Sequence, residues 1–433
     1  MPRRLDADDA AFPAAFSQLL NAKRENSADV GAIVAEILAD VRTRGDDAVL
    51  EYTRRFDRIE LTPETMRVSK NDLEEALGAC SPEVVKALHL AADRIVAFHG
   101  RQTPEDLSFT DGAGLELGYR WTAINAAGLY VPGGTAAYPS SVLMNALPAK
   151  VAGVGRLVMV VPAPVGVLNP LVLAAAHIAG IDEIYRIGGA QAIGALAYGT
   201  ATIPSVDKIV GPGNMYVAAA KRQVFGHVGI DMIAGPSEVL IVADAHNDPD
   251  WIAADLLAQA EHDTAAQSIL ITNDTRFADA VAASVEEQLP TLGRTEIAAE
   301  SWSRLGCIIT VRDLAQAPPL VDRIAPEHLQ LAIENPHTLS QQVRHAGAIF
   351  LGKYTPEALG DYVAGPNHVL PTSRSARFSS GLGVIDFLKR TTFVGCSAQG
   401  LAAVGATAIT LAEAEGLDAH ARSVAVRLNR CRD

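Results

Sequence analysis

Aromatic side chains are scarce, making up 5% of the 433 residues, so the interior has to be built from aliphatic ones. Cysteine is scarcer still. The four, Cys80, Cys307, Cys396 and Cys431, are scattered without a C-x-x-C pair. That spacing excludes a readable disulfide framework or thiolate zinc finger and points to a reducing, cytoplasmic setting. Long hydrophobic runs are missing: the most apolar region, 157–181, is broken by Pro162, Pro164, Asn169 and Pro170, too interrupted for a membrane span. The segment MPRRLDADDA turns acidic after two arginines, so no signal peptide is expected. Excess positive charge is absent too. Setting 36 Lys and Arg against 50 Asp and Glu leaves −14, a surface that repels phosphate backbones and anionic headgroups, so neither nucleic acid nor a membrane is an expected partner. No G-x-S-x-G elbow, phosphate-binding G-x-x-x-x-G-K-[ST] loop or H-E-x-x-H helix occurs, and the commonest hydrolase, nucleotide-triphosphatase and zincin classes lose weight.

What is present is a chain 49% apolar and 20% charged, inside the globular range and long enough for two or three packed units. The first hundred residues read as helical, with apolar residues recurring at three and four in 30–52 and 81–99. From Arg156 short aliphatic runs alternate with Ala-rich helical segments, the rhythm of parallel βαβ units. Strands are expected at 157–161, 183–187, 208–210, 239–242, 269–272, 307–311 and 348–351, with helices at 170–179, 191–198 and 215–224 among those between them. The rhythm runs twice, which predicts an α/β protein with two similar parallel-sheet domains. The segment 366–380 is loop-like, and 391–413 and 419–428 read as helices of a tail too small to bury a core alone. Such a tail has to pack on its own body or on a second subunit.

Three turns carry glycine where a strand meets a helix: Tyr130-Val131-Pro132-Gly133-Gly134, Gly188-Gly189 and Gly211-Pro212-Gly213-Asn214. Glycine lets a backbone approach a ligand, and the helix N-terminus behind it favours an anion such as a pyrophosphate. None is a G-x-G-x-x-G fingerprint, and Asp207 precedes its strand where a ribose-binding acid should follow; on these turns alone, ordinary sharp turns of an α/β fold are the leading reading and cofactor contact the second. A helix over 251–263, capped by Asn247 or Asp248 and opened by Pro249, would end in Gln259-Ala-Glu-His262, placing Gln259 and His262 on one face as possible metal ligands or as a solvated last turn. Glu327 and His328 stand before the alternating Leu329, Leu331 and Ile333. They could move protons together only if the backbone there is irregular, since neighbours on a strand face opposite ways. Asp361 and His368 flank a glycine-rich loop, and Glu415 and His420 lie in the tail. Spacing alone does not assemble these into one site.

Read together, the motifs resemble the histidinol dehydrogenase family. The resemblance is carried by Gly128-Leu-Tyr-Val-Pro-Gly-Gly-Thr, Val210-Gly-Pro-Gly-Asn, Ile233-Ala-Gly-Pro-Ser-Glu-Val, Leu257-Ala-Gln-Ala-Glu-His-Asp, Ala325-Pro-Glu-His-Leu, Asn367-His-Val-Leu-Pro-Thr and Glu415-Gly-Leu-Asp-Ala-His, in the family's order. It implies two incomplete Rossmann-like parallel-sheet domains, with N-terminal helices and a small helical C-terminal tail. The division expected is 1–125 (helices packing on the first α/β domain), 126–236 (cofactor side), 237–378 (metal and catalytic residues) and 379–433 (dimerisation tail). By the same resemblance one zinc ion per subunit would be held by Gln259, His262, Asp361 and His420, with Glu327 and His328 as the catalytic pair. Tyr130, Gln191 and Asn214 would contact NAD; Ser237, Gln259, His262, His328, Asp361, Glu415 and His420 would surround L-histidinol. Glu415 and His420 would serve the partner's site in a homodimer. The implied reaction takes L-histidinol through the aldehyde to L-histidine with two NAD⁺; a relative oxidising another small alcohol is the alternative.

Overall fold

A computed structural model describes residues 2–21, 30–133, 138–181 and 183–428; Gly134 and Thr135 of the first glycine motif, and Cys431, lie outside them. The chain enters through a strand, β1 (Arg3–Asp6), and the helices Phe12–Asn21, Val30–Arg44, Asp46–Asp57, Lys70–Ala79 and Pro82–His99, then forms an antiparallel pair, β2 (Leu107–Thr110) and β3 (Leu115–Ala123). A first parallel series follows: β4 (Ala126–Tyr130), β5 (Arg156–Val160), β6 (Glu183–Tyr185), β7 (Lys208–Val210) and β8 (Gly229–Ile230). A second comprises β9 (Glu238–Ala243), β10 (Gln267–Thr272), β11 (Cys307–Thr310), β12 (His328–Ala332) and β13 (Ala348–Leu351), and β14 (Leu388–Cys396) precedes the tail helices Ala398–Ala414 and Asp418–Ala425. The sheets run β6-β5-β4-β7-β8 and β1-β11-β10-β9-β12-β13, all neighbours parallel.

Both parallel sheets are covered by helices on both faces, which is why β9, β10 and β12 read as nearly unbroken buried runs with no solvent-facing register. On the first sheet, Val34, Ile37, Leu38 and Val41 of Val30–Arg44 pack with Ile193 and Leu196, while the opposite face meets Leu143, Leu147 and Leu173. On the second, Ile252, Leu256 and Trp302 cover one face and Phe16, Leu320 and Val321 the other.

Three expectations change. Residues 3–21 belong with the second sheet: β1 pairs with β11 in register Arg3 to Cys307, and Phe12 and Phe16 join that sheet's core. Residues 391–396 are strand, not helix. Thr391, Thr392, Phe393 and Val394 are β-branched or aromatic, and β14 finds β3 as a partner over Leu388–Cys396. The helix expected over 251–263 closes at Ala260, so His262 sits one turn beyond it, with its N–H on the Gln259 carbonyl at 3.2 Å.

Candidate functional site

A cavity of about 1430 Å³ opens between the two parallel sheets. Tyr130, Gln191, Asn214, Ser237, Gln259, His262, Glu327, His328 and Asp361 all line it. Glu415 and His420 do not; both are exposed on the tail.

The wall supplied by the first sheet is built from strand carboxyl ends. Tyr130 closes β4, is almost wholly buried, and accepts the Gly189 N–H on its phenolic oxygen at 3.1 Å. Burial pushes that phenol up to about 12, so it stays protonated and can donate into the cavity. Gly189 has φ +65, and Gln191 two residues later is 1% exposed with Oε1 unpartnered. Gly211 follows β7 at φ +107; a Cβ there would collide with the Tyr130 carbonyl oxygen, so glycine is required. Both its backbone groups are held: the N–H donates to Asp231 Oδ2 at 2.8 Å, and Lys221 Nζ donates to its carbonyl at 2.9 Å. Lys221 and Asp231 pair with each other in the interior. Asn214 caps the helix Met215–Val224, its Oδ1 accepting from Tyr216 and Val217 at 3.0 and 3.1 Å. Its amide nitrogen is the group left for a ligand.

The second sheet contributes strand amino ends. β12 starts at His328, and Glu327 lies before it, two residues after Ala325 in the left-handed region (φ 48). Alternation therefore does not separate the pair, whose Glu327 Oε2 and His328 Nδ1 stand 3.6 Å apart. Glu327 accepts the Glu238 N–H at 2.9 Å, and the His328 ring approaches the Glu238 carbonyl at 3.0 Å through Nδ1. That contact fixes the tautomer: Nδ1 carries the proton and Nε2, buried and unpartnered, keeps its lone pair. Burial holds His328 down at about 4, so the ring is neutral, with a lone pair free on Nε2.

Gln259, at the end of its helix, is 0% exposed with neither amide atom hydrogen-bonded. An amide buried without partners is costly, and a bound cation would relieve it. His262 is close enough that its charge would bear on His328 and His368. Among the described residues, the titratable ligand atoms drawn within 4.8 Å of one another are those of His328, Glu357 and Asp361. Only Asp361 belongs to the expected zinc set. Glu357 escaped sequence reading although it precedes Asp361 by four on the helix Glu357–Tyr362, a same-face spacing that could have flagged it. Its Oε1 lies 3.3 Å from His328 Nδ1, and burial, then the neighbouring Asp361, Glu327 and Asp255, push its carboxyl well up. His368 supports the loop: Nδ1 meets the Asp361 carbonyl at 3.0 Å and Nε2 meets Ser141 Oγ at 3.3 Å.

The donors thus fit a cation at the second sheet, and the glycine cradle with its unpartnered Gln191 oxygen fits a dinucleotide at the first. Comparison with known proteins shows the family. The family model for histidinol dehydrogenase matches residues 20–428. The chain is 66% identical to histidinol dehydrogenase of Rhodospirillum rubrum over 431 residues, 99% of either chain. It is 62% identical to that of Ruegeria pomeroyi over 430 residues, again 99% of each. The crystal structure of histidinol dehydrogenase from Elizabethkingia anophelis superposes with a TM-score of 0.94 at 37% identity, covering 99% of this chain and 98% of that one. With the motif order, the double sheet and the cavity between them, these matches place the chain in the histidinol dehydrogenase family of oxidoreductases.

Proposed function

We propose that the chain oxidises L-histidinol through the enzyme-held aldehyde to L-histidine, reducing two NAD⁺ and consuming one water. The observation that carries this is the meeting, in one cavity, of the Tyr130, Gln191 and Asn214 wall with the Gln259, His262, Glu327, His328 and Asp361 wall. Residues 126–236 are then the cofactor side and 237–378 the metal and catalytic side.

A bound nicotinamide would supply a hydride acceptor and a bound zinc ion a positive charge to orient the substrate. Gln259, His262 and Asp361 would hold the ion from this chain. His328 Nε2 takes the hydroxyl proton, its other nitrogen being fixed on Glu238. Glu327, anchored by the Glu238 N–H, takes a proton from the water that adds to the aldehyde. Ser237, at the entrance of β9, contacts the substrate. Tyr130 and Gly189 fix the turn against which the cofactor lies. Closing this cavity keeps the aldehyde from solvent.

The fourth zinc ligand, His420, and the substrate contact Glu415 come from a second copy. The tail supports this: on Asp418–Ala425 only Ala421 is buried, while Val394, Leu411, Leu417 and Val426 stay exposed. An apolar surface of that kind wants a partner. No described helix is long and apolar enough to cross a membrane, and a cytoplasmic location fits the free thiols of Cys80, Cys307 and Cys396.

A second ligand set, His328, Glu357 and Asp361, is favoured by their mutual approach within 4.8 Å. Zinc content decides between the two: loss in His262→Asn with retention in Glu357→Gln supports the first, the reverse the second. The reaction is tested by counting NADH per limiting L-histidinol. About two per substrate, the yield of an alcohol taken to an acid on a nicotinamide cofactor, supports the assignment; no NADH with histidinol but reduction with another alcohol moves it to the divergent relative.

A further inference from the structure

A doubly wound dinucleotide site binds the adenosine ribose through a carboxylate that follows its glycine turn. Here the second strand of the series, β5, runs out into Val161-Pro162-Ala163, and no acid stands there. Asp207 offers no substitute, because its Oδ2 accepts the N–H groups of Asn125 and Ala126 at 2.7 and 3.0 Å at the start of β4, the end of the strand away from the cavity. The cavity nonetheless has a carboxylate in its wall from outside the sheet. Asp57, the last residue of the helix Asp46–Asp57, lines it together with Tyr130, Pro162, Gly189 and Gln191. Its Oδ2 is buried with no hydrogen-bond partner. Burial raises the Asp57 carboxyl, and its charge bears on Tyr130, which places it beside the turn assigned to the cofactor.

The surroundings suit an adenosine. The catalytic groups on the second sheet fix where the nicotinamide lies, so the rest of the dinucleotide extends along the first-sheet wall. The helices Val30–Arg44 and Asp46–Asp57 pack on that sheet's helix Gly189–Tyr198. They bring Ile33 and Phe56, 45% and 48% exposed, to the same cavity as Asp57. An apolar side chain and an aromatic ring beside an unsatisfied acceptor match a purine next to a sugar that carries two hydroxyl donors.

Resting on the NAD reading above, we propose that Asp57 accepts the adenosine ribose hydroxyls and makes the site selective for NAD⁺ over NADP⁺. The helix that precedes the sheets then supplies the specificity element that the sheet itself lacks. A 2′-phosphate would meet a carboxylate, and like charges at contact discriminate strongly.

The test is calorimetric binding of NAD⁺, 2′-deoxy-NAD⁺ and NADP⁺ to the zinc-loaded full-length protein, wild type against Asp57→Asn, with Glu36→Gln as the neighbouring acidic control. Wild type is expected to prefer NAD⁺ over 2′-deoxy-NAD⁺ by about tenfold or more, the worth of a hydrogen bond to a charged group. In Asp57→Asn that preference shrinks and the NAD⁺ to NADP⁺ ratio narrows, while L-histidinol binding and zinc content hold. Equal losses for NAD⁺ and 2′-deoxy-NAD⁺, or a loss carried by Glu36→Gln instead, overturn the assignment of Asp57 and leave the dehydrogenase reading intact. A wild type that binds none of the three overturns that reading and this one with it.

Discussion

The two parallel sheets share one strand order, 3-2-1-4-5 counted within each series, yet they turn opposite ends toward the cavity. From the first come residues beyond strand carboxyl ends: Tyr130 and Pro132 of β4, Pro162 of β5, Gly189 of β6 and Pro212 of β7. From the second come residues at strand amino ends: Ser237 before β9, Ala265 before β10, Glu327 and His328 at β12. The difference teaches how one topology can suit the two proposed ligands, which are opposite in charge. Helices that follow strands start at the carboxyl end, so the first sheet presents the N-termini of Gly189–Tyr198 and Met215–Val224, partly positive and suited to a pyrophosphate. The second presents the C-terminus of Pro249–Ala260, partly negative and suited to a cation, with Gln259 in its last turn.

That contrast predicts separable damage. The largest expected effect is on turnover: His328→Asn should lower kcat by about 10²–10⁴, the usual worth of a positioned acid or base, with NAD⁺ affinity unchanged in the same preparation. A parallel loss of NAD⁺ binding would break the division of labour. Next in size is Lys221→Met beneath the cofactor turn. It removes the interior ion-pair partner of Asp231 and should cost about 3–5 kcal/mol in urea melts; Lys221→Met with Asp231→Asn, which keeps an acceptor for the Gly211 N–H, should recover part of it, and zinc content should not move in either protein once folded. Gly211→Ala forces a side chain at φ +107 against the Tyr130 carbonyl and should cost about 1–3 kcal/mol. The same variant should raise the KM for NAD⁺ while the Kd for L-histidinol stays put; a change in the second alone would reverse the assignment of the two walls.

A pH dependence sharpens the second-sheet side. In the metal-free protein His328 is held at about 4, below its ordinary 6.5, chiefly by burial. The unfolded chain then takes up the proton first, so this residue's contribution to stability is present above the unfolded value and is lost as pH falls from about 6.5 toward 4. Denaturation midpoints of metal-free wild type and His328→Asn should converge through that window, and parallel curves would show that the ring does not titrate there.

Much of this was legible in the chain. β7 at Lys208–Val210, β13 at Ala348–Leu351 and the helix Met215–Val224 fall where aliphatic runs, glycine turns and the Asn214 cap put them, because these signals are local. β14 was missed because it is exposed along almost its whole length, so no buried alternation marks it, and its partner β3 is distant in the chain. β1 was missed for the same reason, since it completes a sheet whose other strands begin more than two hundred residues later. At the site, Tyr130, Asn214, Gln259 and His328 lie in the motifs that carry the resemblance and could be named at once. Glu357 and Asp57 sit on helices without a motif; beyond the four-residue spacing of Glu357 to Asp361, a buried, unpartnered carboxylate oxygen is what distinguishes them from solvated acids.

The sequence by itself determined the α/β rhythm and the aliphatic core, because periodicity, capping and residue type act within a few neighbours, and its resemblance to the family named most of the residues proposed for the chemistry. Only the tertiary structure decided that a carboxyl-end wall faces an amino-end wall, that the Glu327–His328 pair shares one side, and that Asp57 is drawn in beside Tyr130. Those facts depend on contacts between segments far apart in the chain, where solvent exclusion and unmet hydrogen bonds, rather than local preference, set what a side chain can do.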